Sequence, residues 1–241
     1  PSGLLSPGKK VLEALSTAEI DEVIAAFAQA AADAVRIGFD AIELHGAHGY
    51  LIDNFFWEGT NQRDDKYGGS LSKRTRFAVE IMQAIRGEIG DDFPMILRFS
   101  QWKQQDFEAR LAQTPEELEQ FLSPLSEAGV DIFHCSNRRF WEPEFEGSSL
   151  NLAGWVKQIT GKPTISVGSV GLTEEFVATY RDGSAEVAGI DELISRMEAD
   201  EFDLIAVGRA LLANPDWADK IRNNDMDSIE TFNKEQLTEL V

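Results

Sequence analysis

The sequence predicts an α/β fold built on parallel β-strands, most simply a (β/α) barrel. Predicted strands and helices alternate five times along the 241 residues. Each strand is a short apolar run without polar alternation, which is typical of parallel strands covered on both faces. No glycine-rich dinucleotide motif opens the chain, which makes a doubly wound nucleotide-binding fold the weaker choice. Because a (β/α)8 barrel has eight strands in about 250 residues, we expect the last five β/α units of a TIM barrel, with the first three strands absent.

The first helix is predicted from a capping box at its start. Ser16 and Glu19 have the required spacing, apolar residues follow at helical intervals, and Gly38 ends the helix. The first strand is predicted over residues 41–44. A turn rich in histidine and tyrosine follows it, and a long loop is predicted over residues 54–69.

In each of the next two β/α units a predicted helix is again followed by a short apolar strand. A second helix is predicted after Ser70, and it leads into a strand over residues 95–99. Thr114 as cap and Pro115 in the first turn begin the third helix. A strand over residues 130–135 comes after it. The remaining predicted elements are a helix over 152–159, a strand over 164–167, a helix over 190–199, a strand over 203–207 and a helix over 217–221.

Composition excludes several classes of function. The formal charge is -20, from 42 acidic and 22 basic residues, so the surface repels nucleic acid and anionic membranes. The single cysteine, Cys135, allows no intrachain disulfide and is expected to be a small core residue. No apolar run reaches the ~20 residues that span a bilayer, and no signal peptide opens the chain. We therefore expect a cytoplasmic protein, and the first residue, Pro1, indicates one that is processed, truncated or cut from a longer chain.

A candidate catalytic turn lies at the carboxyl end of the first predicted strand. His45, His48 and Tyr50 fall within six positions around a glycine-loosened turn. Reactive side chains at this end of a strand are typical of active sites on (β/α) scaffolds. A structural interpretation, in which the histidines only fix the turn, stays open.

A metal site is an alternative interpretation of the two histidines. Zinc or iron needs a third protein ligand, and the only other histidine, His134, belongs to a different strand. Asp53 or Glu43 could serve instead, although their spacing is not distinctive. A metal-dependent barrel hydrolase is therefore kept as an alternative function.

Charged and glycine residues suggest a site for an anion. Arg98 lies inside a predicted strand, where its charge needs either a salt bridge or an anionic ligand. Gly168-Ser169 and Gly208-Arg209 directly follow the last two predicted strands. Glycine allows backbone N–H groups to approach a phosphate, and the loops after the last two barrel strands often bind one.

Two motifs resemble the old yellow enzyme family of FMN-dependent NAD(P)H oxidoreductases. They are Glu43-Leu44-His45-Gly46-Ala47-His48-Gly49-Tyr50-Leu51 and Asn61-Gln62-Arg63-Asp64-Asp65-Lys66-Tyr67-Gly68-Gly69-Ser70. Three shorter stretches add to the match: Arg98-Phe99-Ser100, Ser166-Val167-Gly168-Ser169 and Val207-Gly208-Arg209. The resemblance implies that residues 1–241 form a single, partial FMN-binding TIM-barrel domain.

The resemblance also implies roles for individual residues. His45 and His48 would hydrogen-bond the carbonyl or nitro oxygen of an activated alkene, and Tyr50 would donate a proton to it. Arg98 would lie by the N1/O2 edge of the flavin. The residues implied to hold the FMN phosphate are Gly168, Ser169, Gly208 and Arg209. NAD(P)H would be the electron donor.

The absence of three strands gives a further expectation. A five-stranded open sheet has two unpaired edges, so we expect an unstable or oligomeric chain, or one completed by an N-terminal segment or second polypeptide. A catalytically silent fragment or interaction module is the alternative that follows.

Overall fold

The computed structural model describes residues 1–238, apart from the side chains of residues 177, 180 and 182. The chain forms two compact units, one made of residues 1–135 and 155–164 and the other of residues 136–154 and the chain from 165 onward. Among residues 1–238, no helix has both the length and the apolar character needed to cross a membrane. The prediction of a single domain over residues 1–241 stays a prediction.

The first unit contains the first three predicted β/α units. Its elements are β1 (Leu4–Ser6), β2 (Lys9–Lys10), α1 (Thr17–Ile37), β3 (Ile42–His48), α2 (Leu51–Phe56), α3 (Leu71–Arg74), α4 (Arg76–Ile89), β4 (Met95–Lys103), α5 (Pro115–Glu127) and β5 (Ile132–Ser136), whose last residue belongs to the second unit. Strands β3, β4 and β5 form a parallel sheet in that order, as predicted. The expected helix signals are also present. Ser16 and Glu19 form the capping box of α1, and Gly38 caps its end at φ +92°.

The register of the first sheet determines where the candidate site lies. His45 is the partner of Arg98, and Arg98 is the partner of His134. Since side chains alternate along a strand, these three residues share one face of the sheet. The neighbouring residues, such as Leu97 and Phe133, are fully buried on the other face.

Chain order continues with α6 (Leu152–Thr160), β6 (Thr164–Val167), α7 (Phe176–Asp182), β7 (Ser184–Ala185), α8 (Asp191–Glu198), β8 (Leu204–Ala206), α9 (Arg209–Ala213), α10 (Trp217–Arg222) and β9 (Phe232–Asn233). In the second unit β6 and β8 are parallel, and Val167 is the partner of Ala206. The carboxyl ends of these two strands therefore lie side by side. Short 3₁₀ helices span Met226–Ser228 and Lys234–Leu237.

Several elements differ from the sequence prediction. Residues for which the sequence predicts no helix or strand contain the β1–β2 hairpin, α2 and α7. The start of α2 carries no side-chain cap, because Tyr50 occupies the N-cap position, so the local signal for this helix is weak. Strand β3 also continues through His48 rather than ending at Leu44. Cys135 is fully buried, which confirms its assignment to the core.

Candidate active site

The catalytic turn forms where β3 ends and α2 begins. His48 and Gly49 both have left-handed backbones, at φ +64° and +78°, and this reverses the chain so that Tyr50 returns toward β3. The rings of His45 and His48 lie 5.1 Å apart, and those of His45 and Tyr50 lie 5.3 Å apart. The three side chains predicted to converge therefore form one cluster.

Side chains from β4 and α2 hold this turn. The N–H of His48 donates to Ser100 Oγ at 3.0 Å, and the N–H of Gly49 donates to Asp53 Oδ2 at 2.6 Å. The His48 ring stacks on Trp102 at 4.6 Å. Ser100 belongs to one of the matching stretches of sequence, but Trp102 and the role of Asp53 were not predicted. Their contacts join residues from separate parts of the chain and leave no local pattern.

The environment keeps both histidines of the cluster neutral. Burial, and then the charge of Arg98, lower the pKa of His48 to about 3. The same two causes lower the pKa of the more exposed His45. At neutral pH each ring therefore carries one N–H donor and no net charge.

Arg98 lies beside His45 on the same face of the sheet. Its guanidinium is half-buried, and burial lowers the pKa of Arg98 while the charge of Glu43 opposes that shift. Burial works against ionisation of Glu43, but its hydrogen bond to His134 and the nearby cations outweigh this and lower the pKa of Glu43. The Glu43–His134 contact measures 2.7 Å. The salt-bridge and ligand interpretations of Arg98 are thus compatible, since Glu43 supplies a counter-charge and the cation still neighbours His45.

The metal interpretation of His45 and His48 has no support in this geometry. His134 is engaged with Glu43, and Asp53 forms an ion pair with Lys103. Within the part of the chain that the structure describes, no group of three or more His, Cys, Asp or Glu residues could hold a metal ion.

A second cluster, which we call the glycine corner, comprises Gly168, Ser169, Gly208 and Arg209 at the ends of β6 and β8. A Cβ on Gly168 would lie 2.8 Å from the carbonyl oxygen of Asn137, and the residue has φ +147°. Ser169 is left-handed as well, at φ +52°. Its hydroxyl lies 3.1 Å from the carbonyl oxygens of both Arg138 and Glu174. Only glycine fits the first of these positions.

Arg209 completes the glycine corner. It donates to the Glu174 carbonyl at 2.8 Å and to the hydroxyl of Thr179, so Ser169 and Arg209 meet at one carbonyl group. Burial lowers the pKa of Arg209, while Glu175 and Glu174 oppose the shift. A second guanidinium, Arg138, lies 3.5 Å from Glu175 and was not predicted from the sequence.

The glycine corner fits a phosphate group. A Cβ on Gly208 would meet no atom of the described residues within 4 Å, so a ligand can approach the backbone there. Arg209 directly follows Gly208 in the chain, and the guanidinium of a second arginine, Arg138, lies 3.5 Å from Glu175. Open glycine backbone next to cations is the arrangement that binds phosphates in many proteins.

Two neutral imidazoles and a phenol meet at the end of one parallel strand, and open glycine backbone follows two others, which is the placement typical of active sites on (β/α) scaffolds. Residues 6–228 match the NADH:flavin oxidoreductase / NADH oxidase family. The chain belongs to this family, the old yellow enzyme family, whose members use FMN with NAD(P)H as electron donor. The resemblance seen in the sequence is confirmed.

Individual relatives agree with this assignment. The chain is 37% identical over 223 residues to an NADH oxidase of Thermoanaerobacter brockii, with 89% of this chain and 31% of the relative covered. It is 34% identical over 219 residues to an NADPH dehydrogenase of Clostridium acetobutylicum, with 89% and 58% covered.

A solved structure shows the fold. The old yellow enzyme homologue from Zymomonas mobilis matches with a TM-score of 0.75 at 20% identity, over 98% of this chain and 63% of that one. The predicted partial TIM barrel is confirmed. The chain spans less than two thirds of the length of each of these three proteins.

Proposed function

We propose that this chain carries the substrate-activating part of an FMN-dependent ene-reductase, which reduces activated C=C bonds such as those of enones and nitroalkenes. The observation that carries the proposal is the cluster of His45, His48 and Tyr50, with ring centroids 5.1 and 5.3 Å apart. Family membership supports an oxidoreductase, and the cluster supports this particular reaction.

The two imidazoles would bind the oxygen of the substrate. Because both are neutral, each donates one N–H bond, and a carbonyl or nitro oxygen accepts two such bonds without receiving a proton. Preorganised donors of this kind stabilise negative charge that develops on the oxygen during the reaction. When bound, FMN supplies the hydride chemistry.

Tyr50 would supply the proton. Its side chain is 54% exposed, and its ring packs edge-on against His45, so the phenol is accessible to a substrate held by the imidazoles. A positioned general acid contributes about 10²- to 10⁴-fold to a proton transfer. The acceptor is the α-carbon of the alkene, which gains negative charge as its neighbour is reduced.

The remaining predicted residues would bind the cofactor. Arg98 places a cation beside His45 and would stabilise negative charge at the N1/O2 edge of the flavin. In the second unit Gly168, Ser169, Gly208 and Arg209 would hold the phosphate, through backbone N–H groups and the charge of the guanidinium.

The visible spectrum of the purified protein tests this function. We expect a yellow protein whose colour is lost on addition of NAD(P)H without oxygen and returns when 2-cyclohexen-1-one is added. Colourless protein that cannot be reconstituted with FMN contradicts the proposal. Flavin that is reduced and then not reoxidised by the enone supports a flavoprotein without ene-reductase activity.

One observation favours a second candidate, a silent fragment or interaction module that needs a partner. Strand β3 lies at the edge of its sheet, and Glu43 and His45 on that strand are exposed. An unpaired parallel strand offers a row of backbone groups to another chain or segment. A complementing N-terminal segment or a homo-oligomer would cover this edge. A stable partnered protein that never takes up flavin would support this candidate.

A cytoplasmic location stays a prediction.

A further inference from the structure

We propose that Asp53, Lys103 and Ser100 form a positioning network that fixes the catalytic turn for substrate binding. The inference rests on the proposed ene-reductase function, because it assigns these residues to the imidazole-phenol cluster. None of the three would touch the substrate. They would act through the backbone of His48 and Gly49.

The buried ion pair between Asp53 and Lys103 is the centre of the network. Both side chains are 0% exposed, and Lys103 Nζ lies 2.6 Å from Asp53 Oδ1. Replacing such a pair by apolar residues of similar volume is often neutral for stability or even favourable. Stability alone therefore does not account for two opposite charges at this depth.

Both ends of the pair lead to the catalytic turn. The second oxygen of Asp53 accepts the Gly49 N–H at 2.6 Å. Lys103 donates to the carbonyl of Ser100 at 3.1 Å, and the hydroxyl of Ser100 accepts the His48 N–H at 3.0 Å. The N–H groups of His48 and Gly49 are thus bound by the side chains of Ser100 and Asp53. Lys103 hydrogen-bonds both of these residues and so links them.

The network also orients the imidazole ring. Ser100 Oγ donates to the carbonyl of Trp102 at 2.7 Å, and the Trp102 ring stacks on His48. A left-handed backbone is costly for a residue other than glycine and persists only where the surrounding structure holds it. Without the network, His48 would relax toward an ordinary backbone and its ring would leave Trp102.

Asp53 must be ionised to make both of its contacts. Burial raises the pKa of Asp53, while the ammonium of Lys103 and the N–H of Gly49 oppose that rise. Both partners are donors, so each carboxylate oxygen must accept. An Asn at this position keeps the volume but turns an NH₂ group toward one of the donors, which breaks one of the contacts.

The test compares D53N and S100A with E201Q in the otherwise unchanged protein. Glu201 is a matched control, because it forms a partly buried ion pair with Arg196 in the second unit and lies outside the network. S100A removes one hydroxyl and keeps both charges of the ion pair, so it remains informative if D53N does not fold. Circular dichroism checks that each variant is folded.

NMR of the histidine rings gives a measurement that does not depend on flavin or activity. The chain has three histidines, and a spectrum of H48N identifies the His48 signals. In the wild type we expect these signals to be shifted by the Trp102 ring and constant between pH 5 and 8. In folded D53N or S100A we expect the ring shift to diminish and the signals to titrate, whereas E201Q should match the wild type. His48 signals unchanged in both network variants overturn the proposal.

The kinetic consequence is measured on the two half-reactions separately. D53N and S100A should slow reoxidation of reduced flavin by 2-cyclohexen-1-one about tenfold or more, since small misplacements of catalytic groups are costly. Flavin reduction by NAD(P)H should stay within about twofold of the wild type. Equal losses in both half-reactions, or the same loss in E201Q, contradict the positioning role. If the protein shows no flavin chemistry at all, the proposed function fails, while the NMR result still decides whether the network holds the turn.

Discussion

The catalytic turn and the glycine corner both hold residues in unusual backbone conformations, but they do so with different kinds of hydrogen bond. Each contains two successive residues in unusual backbone conformations, His48-Gly49 in one and Gly168-Ser169 in the other. In the turn, buried side chains bind the backbone N–H groups. In the corner, main-chain carbonyls bind the side chains of Ser169 and Arg209. The turn should therefore be sensitive to loss of polar side chains. In the corner, Gly168 should be sensitive to an added Cβ, which would lie 2.8 Å from the Asn137 carbonyl oxygen.

His45→Ala should have the largest effect on the rate of alkene reduction, and it should leave the fold of the turn intact. His45 is exposed, so its removal should change stability by less than about 1 kcal/mol. Loss of one of two donors to a developing oxyanion costs about 10²- to 10³-fold. We expect flavin reoxidation by 2-cyclohexen-1-one to slow about 100-fold in rapid-mixing experiments. A rate within threefold of the wild type would remove His45 from the oxygen-binding role.

Gly168→Ala should be the most damaging substitution in the glycine corner. The added methyl group would lie 2.8 Å from the Asn137 carbonyl oxygen in a backbone conformation that favours glycine. We expect a loss of about 3 kcal/mol in the free energy of unfolding, from backbone strain and the clash together. Urea denaturation measures it.

Gly208→Ala is the matched control for that substitution. Nothing among the described residues lies within 4 Å of its added Cβ. Gly208 is the N-cap of α9, where alanine is less favourable than glycine, so stability should fall by no more than about 1 kcal/mol. If the corner binds the FMN phosphate, this variant should nevertheless bind FMN about tenfold more weakly by fluorescence titration, since close backbone approach is lost. Equal unfolding energies for the two alanine variants would contradict the corner's geometry.

The pH dependence of the free energy of unfolding tests whether His48 in the turn is neutral in the folded protein. The pKa of His48 is about 3 in the folded protein against an ordinary value of 6.5. Between these values the unfolded chain binds more protons, so stability rises with pH in this range and falls on acidification. From pH 7 to pH 5 this residue should account for a loss of about 2 kcal/mol.

His48→Asn removes that contribution. The free energy of unfolding is measured in urea at pH 7 and at pH 5 for the variant and for the wild type. Between these two pH values, the decrease for the variant should be about 2 kcal/mol smaller than the decrease for the wild type. Equal falls would mean that the imidazole is not held in its neutral form. The comparison uses differences between the two pH values, so a general destabilisation of the variant does not affect it.

Local signals in the sequence identify much of the fold and the members of both clusters. The capping box at Ser16 and the apolar strand runs require only neighbouring residues, and reactive groups at a strand end predict convergence by geometry alone. The Asp53–Lys103 pair could not be predicted in this way. Its members lie fifty positions apart, and Lys103 falls beyond the predicted end of its strand. Helix α2 was missed because its N-cap is a tyrosine.

The proposed function places proton transfer at Tyr50 of the catalytic turn, and Tyr50→Phe tests that proposal most directly. The control is Tyr67→Phe, whose hydroxyl donates to Glu80 at 2.7 Å and lies outside the cluster. In single-turnover experiments, Tyr50→Phe should slow reoxidation of flavin by the alkene about 100-fold and leave reduction by NAD(P)H unchanged, while Tyr67→Phe leaves both rates near those of the wild type. Tyr50→Phe that slows both half-reactions equally, or neither, would contradict the account.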